Sequence, residues 1–339
     1  MSDSRRKGLD ERNLVDIVKY RTIWFGISLA VTIPGFIAII MCCMQFHAPL
    51  KPGIDFTGGS ILQYQFDKPV TLEAVHKVLN ECGFEGSQVQ QATVGGKDAV
   101  IMRTKSIDQE SQKAKLDNKL VAELGPFKPI SVDKVTATIG PELLTNGLLA
   151  LVVTFAGMVG YISYRFKFDY ALCAIAALFH DVLVLCGIFA GLGLILGTEV
   201  DSLFISAVLT VIGFSVHDTI VVFDRIRENA KYVGSKFVDP KTGEERKKTF
   251  GDIANDSVNQ TLTRSIYTSL TVIITLLSLY LFGGVTTKDF VLAMLIGIIS
   301  GTYSSIFNAS CLLVWWRDFK GKSSGKGGSA SKKAVATSA

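Results

Sequence analysis

Three places in this sequence put ionisable side chains inside apolar runs. Asp218 follows His217 within the run Ser202–Phe223, five residues from its end, or about 7.5 Å of helix. A carboxylate at that depth in a bilayer costs about 2.5–3.5 kcal/mol or more unless it is paired or wet, which makes it a functional candidate by default. The chemistry open to it is the gain and loss of a proton; the bland alternative is a carboxylate fixed by one hydrogen bond. By helical spacing Asp218 shares a face with Val211, Phe214, Ser215 and Val222. His180 and Asp181 interrupt a second run near its middle. Histidine suits proton transfer near neutral pH and aspartate suits pairing, although a purely structural polar contact serves equally. Neighbours on a helix point about 100° apart, so these two side chains are expected to diverge. Arg264 precedes Ser265–Phe282, which at 18 residues is short for a span. Either Arg264 is a basic flank, or it dips into the hydrocarbon and needs a carboxylate, for which Asp218 is the candidate.

The elements that would hold these groups are membrane spans. Of the 339 residues 48% are hydrophobic, gathered in long blocks, and a core about 30 Å thick takes about 20 helical residues to cross. The blocks are 23–44, Leu143–Tyr164, Phe168–Leu196, Ser202–Phe223, Ser265–Phe282 and Phe290–Trp316. The expected fold is a polytopic α-helical membrane protein with six transmembrane helices. The formal net charge of +5 says little as a sum, because charge is sorted by topology. Arg165, Lys167 and the basic stretch Asp224–Arg264 mark cytoplasmic connections, whereas Gly197–Asp201 has no Arg or Lys and Gly283–Asp289 has only Lys288. Both termini are then cytoplasmic and 45–141 is external. Residues 1–22 read as a polar leader to an uncleaved anchor, since 23–44 is too long for a signal-peptide core. Residues 142–316 hold the other five spans, with Trp315 and Trp316 at an interface. The tail 317–339, rich in Gly, Ser, Ala and Lys, buries too little to fold. Gly187-x-x-x-Gly191 and Gly297-x-x-x-Gly301 suit close helix packing. Six cysteines with no C-x-x-C pair suggest neither a metal site nor a disulfide framework.

The external segment changes period several times. Ser60–Phe66 reads as a strand and Thr71–Cys82 as a helix with Thr71 at its N-cap. Gln88–Val94 and Ala99–Arg103 are strands joined by the hairpin signal Gly95-Gly96-Lys97-Asp98. Asp108–Leu124 is helical, stopping at Gly125-Pro126, and Ile130–Ile139 is a last strand. The order βαββαβ is that of an α+β ferredoxin-like domain. Ahead of it lies Gly53-Ile54-Asp55-Phe56-Thr57-Gly58-Gly59-Ser60, expected as a turn into the first strand. No Gly-Lys-Ser/Thr follows and no helix is expected to open there, so it is not a phosphate loop.

That loop is similar to the signature after the first span of the SecF family, the smaller membrane subunits of the SecD–SecF protein-export complex. Val211–Asn229, with Asp-Arg-Ile-Arg-Glu-Asn at 224–229, resembles the family's fourth-span motif. Gln260-Thr261-Leu262-Thr263-Arg264-Ser265 and Leu281-Phe282-Gly283-Gly284 resemble the start and end of its fifth span. The resemblance covers about residues 12–317. It implies a subunit in the bacterial cytoplasmic membrane, not an enzyme, needing no cofactor beyond the proton gradient. Its implied partners are SecD, the Sec translocation channel, the translocating polypeptide and membrane lipid, with no nucleic acid. Asp218 matches the family's proton-pathway Asp, Arg264 its Arg, and His180-Asp181 a recurrent pair; Gly53, Asp55, Gly58 and Gly59 carry the loop signature. No second six-span copy is found here, so a pathway between halves would need a partner. The loop Lys231–Asp252 looks longer than usual for the family, and His217 is a polar variation beside Asp218. A half-exporter of lipids or small molecules and a non-transporting scaffold of the channel are the alternative readings.

Overall fold

In the computed structural model, residues 15–84, 87–94, 97–107, 109–135, 139–238, 245–284 and 287–320 are described. In chain order the elements are α1 (Arg21–Phe46), α2 (Ile54–Thr57), β1 (Gly59–Phe66), α3 (Leu72–Glu81), β2 (Gln88–Val94) and β3 (Lys97–Thr104). Then come α4 (Glu110–Leu124), β4 (Phe127–Val135), α5 (Ile139–Arg165), α6 (Phe168–Ile195) and α7 (Ser202–Asn229). The small strands β5 (Lys236–Val238) and β6 (Glu245–Lys247) precede α8 (Phe250–Phe282) and α9 (Lys288–Lys320). Six of these helices, α1 and α5–α9, are long and apolar enough to cross a bilayer.

Small residues set how closely the spans approach. α1 crosses α6 at Gly35 and Gly187, where a Cβ on Gly35 would lie 3.0 Å from the Gly187 Cα. Gly191, the other half of that spacing, has nothing within 4 Å. α9 lies on α7 through Gly297 and Gly301; a Cβ on Gly301 would lie 3.1 Å from the Ser215 Cβ. Around these crossings Tyr170, Phe189, Phe204, Phe223 and Ile226 fill the bundle core.

α8 departs most from expectation. It begins at Phe250 under a Thr249–Asp252 capping box, well before Ser265, and its 33 residues span about 50 Å. Its first turns bury polar side chains: Asn255, Asp256, Ser257 and Asn259. Asn255 Oδ1 accepts from Ile17 N at 2.8 Å, Asn259 brackets Val15, and Lys248 pairs with Asp256 at 2.9 Å, both buried. A helix that buries its polar face carries no apolar stripe to find. α9 also runs past 316 to Lys320, with Arg317 stacked 4.1 Å over the Phe250 ring. Residues 1–14 of the expected leader 1–22, and 321–339 of the tail, lie outside the described residues.

Between α1 and α5 the chain forms a four-stranded antiparallel sheet in the order β2-β3-β1-β4. α3 and α4 cover one face, enclosing Leu62, Tyr64, Val78, Leu79, Met102, Leu116 and Leu120. β4 starts at Phe127, earlier than the Ile130 expected, because Phe127 stacks on Tyr64 at 4.3 Å; Ile139 belongs to α5. Thr71 stands at the N-cap of α3 without a side-chain hydrogen bond. Of the expected hairpin turn, Gly95 and Gly96 lie outside the described residues. The glycine-rich loop does open a helix, the single turn α2, contrary to expectation.

Candidate functional site

α7 is one unbroken helix, and both constellations found in the sequence lie along it. Near its middle Asp218 is 4% exposed, with Oδ2 unpartnered among the described residues. His217, Ser269 and Arg264 are the polar groups that act on this carboxyl. Arg264 does not close an ion pair on it. It lies about 21 Å along α8 from Phe250 and is exposed. His217 is likewise exposed on α7.

One turn before Asp218, the Ser215 hydroxyl donates to Asp181 Oδ2 at 2.5 Å. Asp181 is fully buried, and its Oδ1 meets His180 Nδ1 at 3.0 Å. The expected divergence of these neighbours is therefore corrected: backbone directions differ, but side-chain torsions bring the ring back over the carboxylate. Below them α9 is π-helical over Ser304–Ala309, a wide turn of the kind common at functional sites. It presents Ser305, whose hydroxyl meets Thr219 Oγ1 at 2.8 Å and donates to the Ser215 carbonyl at 3.2 Å. Ser269 on α8 meets Thr302 Oγ1 at 2.6 Å. Sequence reading passed over this band of hydroxyls. Its one signal was Ser304-Ser305 with Asn308 inside an apolar run.

The second constellation is the glycine-rich loop. Gly53 N donates to Val200 O at 2.8 Å and Val200 N to Lys51 O at 2.9 Å, pinning the loop to the α6–α7 connection. A Cβ on Gly53 would sit 2.9 Å from the Val200 carbonyl oxygen, so only glycine fits. Gly58 has φ 75°. Gly59 has φ 152° and lies against the Thr104 carbonyl, which a side chain would strike. Asp55 Oδ2 accepts both Ser202 N at 3.0 Å and Ser202 Oγ at 2.5 Å. It thus caps α7 from another segment, beside the N-cap Asp201, which accepts from Phe204 N at 2.9 Å. Burial pushes the Asp201 carboxyl above the usual carboxylate range. Glu199 lies between Lys51 at 3.8 Å and Arg103 of β3 at 3.7 Å, tying the sheet to the same connection. At the other end of α7, Asp224 bridges Arg165 at 3.1 Å and Arg227 at 3.0 Å, and Asn229 donates to Ser257 at 2.9 Å.

Six helices long and apolar enough to cross a membrane, a buried Asp–His–Ser cluster and a glycine-rich joint define a polytopic membrane protein with a polar site among its spans. Residues 117–318 match the family model described as protein export membrane protein SecD/SecF, C-terminal. Residues 45–70, the joint itself, match the SecD/SecF GG motif. The protein translocase subunit SecF of Thermobaculum terrenum is 45% identical over 320 residues, covering 90% of this chain and 95% of that one. That of Synechocystis sp. is 39% identical over 317 residues, covering 90% and 95%. A crystal structure of SecDF, a translocon-associated membrane protein from Thermus thermophilus, is similar with a TM-score of 0.74 at 29% identity. The match covers 91% of this chain and 39% of that longer one. The chain belongs to the SecF family of protein translocase subunits.

Proposed function

We propose that this subunit works with SecD at the Sec translocation channel, using proton passage at Asp218 to move its external domain and so promote late polypeptide export. The observation that carries this reading is the continuity of α7. About 24 Å of unbroken helix joins Asp218, whose Oδ2 has no partner among the described residues, to Ser202, where Asp55 couples it to the loop that leads into the sheet. A change of charge at Asp218 that shifts α7 is thus delivered directly to that domain. The order βαββαβ and the sheet order β2-β3-β1-β4 support a ferredoxin-like domain.

The basic ends at Arg165, Lys167, Arg225 and Arg227 support a cytoplasmic location for both termini, with the sheet outside the cytoplasmic membrane. His217 and Arg264 on the exposed surface support a protein partner there, since lipid is a costly neighbour for ionisable groups at such depth. The exposed apolar side chains Leu149, Val152 and Val153 of α5 and Ile266, Tyr267 and Ile274 of α8 are available to SecD and to membrane lipid. The emerging polypeptide is the load, and the proton gradient is the energy source in place of any bound cofactor or catalysed reaction.

Replacing Asp218→Asn in the SecD-containing complex tests the proposal. Gradient-dependent late export should fall to the level seen without a proton gradient, with membrane insertion and assembly intact. Normal export by that variant would refute it.

A further inference from the structure

Between α1, α6 and the last turns of α9 lies a cavity of about 550 Å³, framed by Arg21, Phe25, Leu29, Ala177, Leu312 and Trp315. Arg21 starts α1 and Trp315 lies near the end of α9, so its rim is at the cytoplasmic end in the orientation proposed above. From Arg21 the lining runs along α1 to Leu29, about 12 Å deeper. Leu29 is 56% and Trp315 44% exposed, so the cavity is a groove open along its side. It adjoins an exposed apolar stripe of α1, Ile23, Ile27 and Val31, at helical spacing. Ser28, His180 and Asn308 also line it. Ser28 Oγ accepts from Asn308 Nδ2 at 2.6 Å. His180 Nε2 and Asn308 Oδ1, which have no partner among the described residues, are themselves buried, so the wall offered to an occupant is apolar.

In a bilayer such a groove suits an acyl chain, but apolar contact alone selects none, because lipid tails are as apolar as leucine. Selection has to come from the rim. There Arg21 presents a planar fork of donors that matches a phosphate. Among the described residues only its Nη1 is engaged, at 2.9 Å on Asp318, and the two side chains are 37% and 49% exposed. An ion pair so exposed contributes little, so a phosphate can share or replace the carboxylate. The ends of α1 and α9 set Lys19, Arg21, Arg317 and Lys320 against Asp16, Asp169 and Asp318, leaving a positive balance. Trp315 places an amphipathic ring at the same level, as suits the membrane interface. A basic pocket between spans on the cytoplasmic side is the arrangement that holds an anionic headgroup.

We propose that this groove binds one anionic phospholipid of the cytoplasmic leaflet, with its phosphate on Arg21 and an acyl chain running past Phe25, Ala177 and Leu312 toward Leu29. The lipid touches α1, α6 and α9 at once, so it joins the first span to the two that carry His180-Asp181 and the π-helical turn. The inference rests on the orientation of the bundle proposed above and is independent of proton passage at Asp218.

The test uses the assembled complex with SecD in vesicles of phosphatidylcholine and phosphatidylglycerol. A trace of one lipid or the other carries a diazirine in an acyl chain, and cross-linked peptides are mapped after illumination. At equal mole fraction the phosphatidylglycerol probe should label the peptides holding Phe25, Ala177 and Leu312 about fivefold more than the phosphatidylcholine probe. Both should label the deeper half of α1, at the exposed Ile33, Phe36 and Ile37, alike, which also reports that each variant has assembled. Arg21→Gln should abolish the preference in the groove. Asp318→Asn breaks the same ion pair and should keep or raise it, whereas a merely structural pair would make the two variants behave alike. Equal labelling of the groove by both probes would mean ordinary surrounding lipid, and labelling by neither would mean a protein neighbour; each overturns the proposal. A preference that survives Arg21→Gln would overturn it as well. Groove labelling confined to probe loaded into the external leaflet would overturn it together with the orientation.

Discussion

Removing the Asp55 carboxylate should uncouple the start of α7 from the sheet without unfolding either. Asp55 accepts two bonds from Ser202, one from the backbone N–H at 3.0 Å and one from the hydroxyl at 2.5 Å. The residue is half-buried, and a hydrogen bond to a charged group contributes about 1.5–3 kcal/mol net. Asp201 still caps Phe204 N in the variant, so the loss is confined to the first turn. In Asp55→Ala the free energy of opening that turn should fall by about 1.5–3 kcal/mol. At about 1.4 kcal/mol per factor of ten, that is a ten- to hundred-fold loss of hydrogen-exchange protection at the Ser202 amide. Peptides covering the middle of α7 should exchange as in the parent. Export should fall with the joint while proton uptake at Asp218 persists. Two results would refute the reasoning: unchanged exchange at Ser202, or a tenfold faster exchange that leaves gradient-driven export at its normal rate.

Other perturbations read out separate parts of the molecule. Gly301→Leu forces a side chain against Ser215 where even a Cβ is tight, so thermal unfolding of the complex should show a loss of about 1–3 kcal/mol or a partly assembled bundle. Lys248→Ala removes the ammonium from the buried pair with Asp256 and should cost about 3–5 kcal/mol, readable as a drop in melting temperature. Asp201→Asn keeps a good N-cap but removes a carboxyl whose pKa burial raises in the folded state. The stability tied to that raised pKa is whole below about pH 4, near the unfolded value, and is lost as pH rises through the folded value. The variant should therefore gain on the parent in melting temperature between acid and neutral pH, and a constant difference would refute the sign.

Much of the bundle was legible because apolar residues cluster wherever a helix meets lipid. The same logic hid the first fourteen residues of α8, whose buried face is polar: Asn255 and Asn259 hold Ile17 and Val15 by hydrogen bonds and Asp256 pairs with Lys248, contacts that no hydropathy window registers. Asp218 stood out by chemistry alone. Its surroundings did not, because Arg264 proximity depends on how α7 and α8 pack, and the Asp181–Ser215 bond joins residues 34 positions apart. The His180–Asp181 contact was misjudged because helix geometry fixes where a Cβ points and leaves the side-chain torsions free. In the glycine-rich loop, spacing revealed the need for unusual backbone but gave Asp55 no partner, since Ser202 lies 147 residues away.

The π-helical turn Ser304–Ala309 has a consequence for how this chain lines up with its relatives. A π turn holds one more residue than the α-helical turn it replaces, and one residue is about 100° of rotation. Deleting a residue elsewhere in α9 would swing either Gly301 away from Ser215 or Trp315 away from the cavity rim. Deleting one between 304 and 309 lets the turn close to an ordinary α-helix and leaves both ends in phase. A one-residue gap in α9 therefore belongs at this turn. A relative that carries it keeps the fit of α9 on α7 and gives up the bulge that holds Ser304, Ser305 and Asn308.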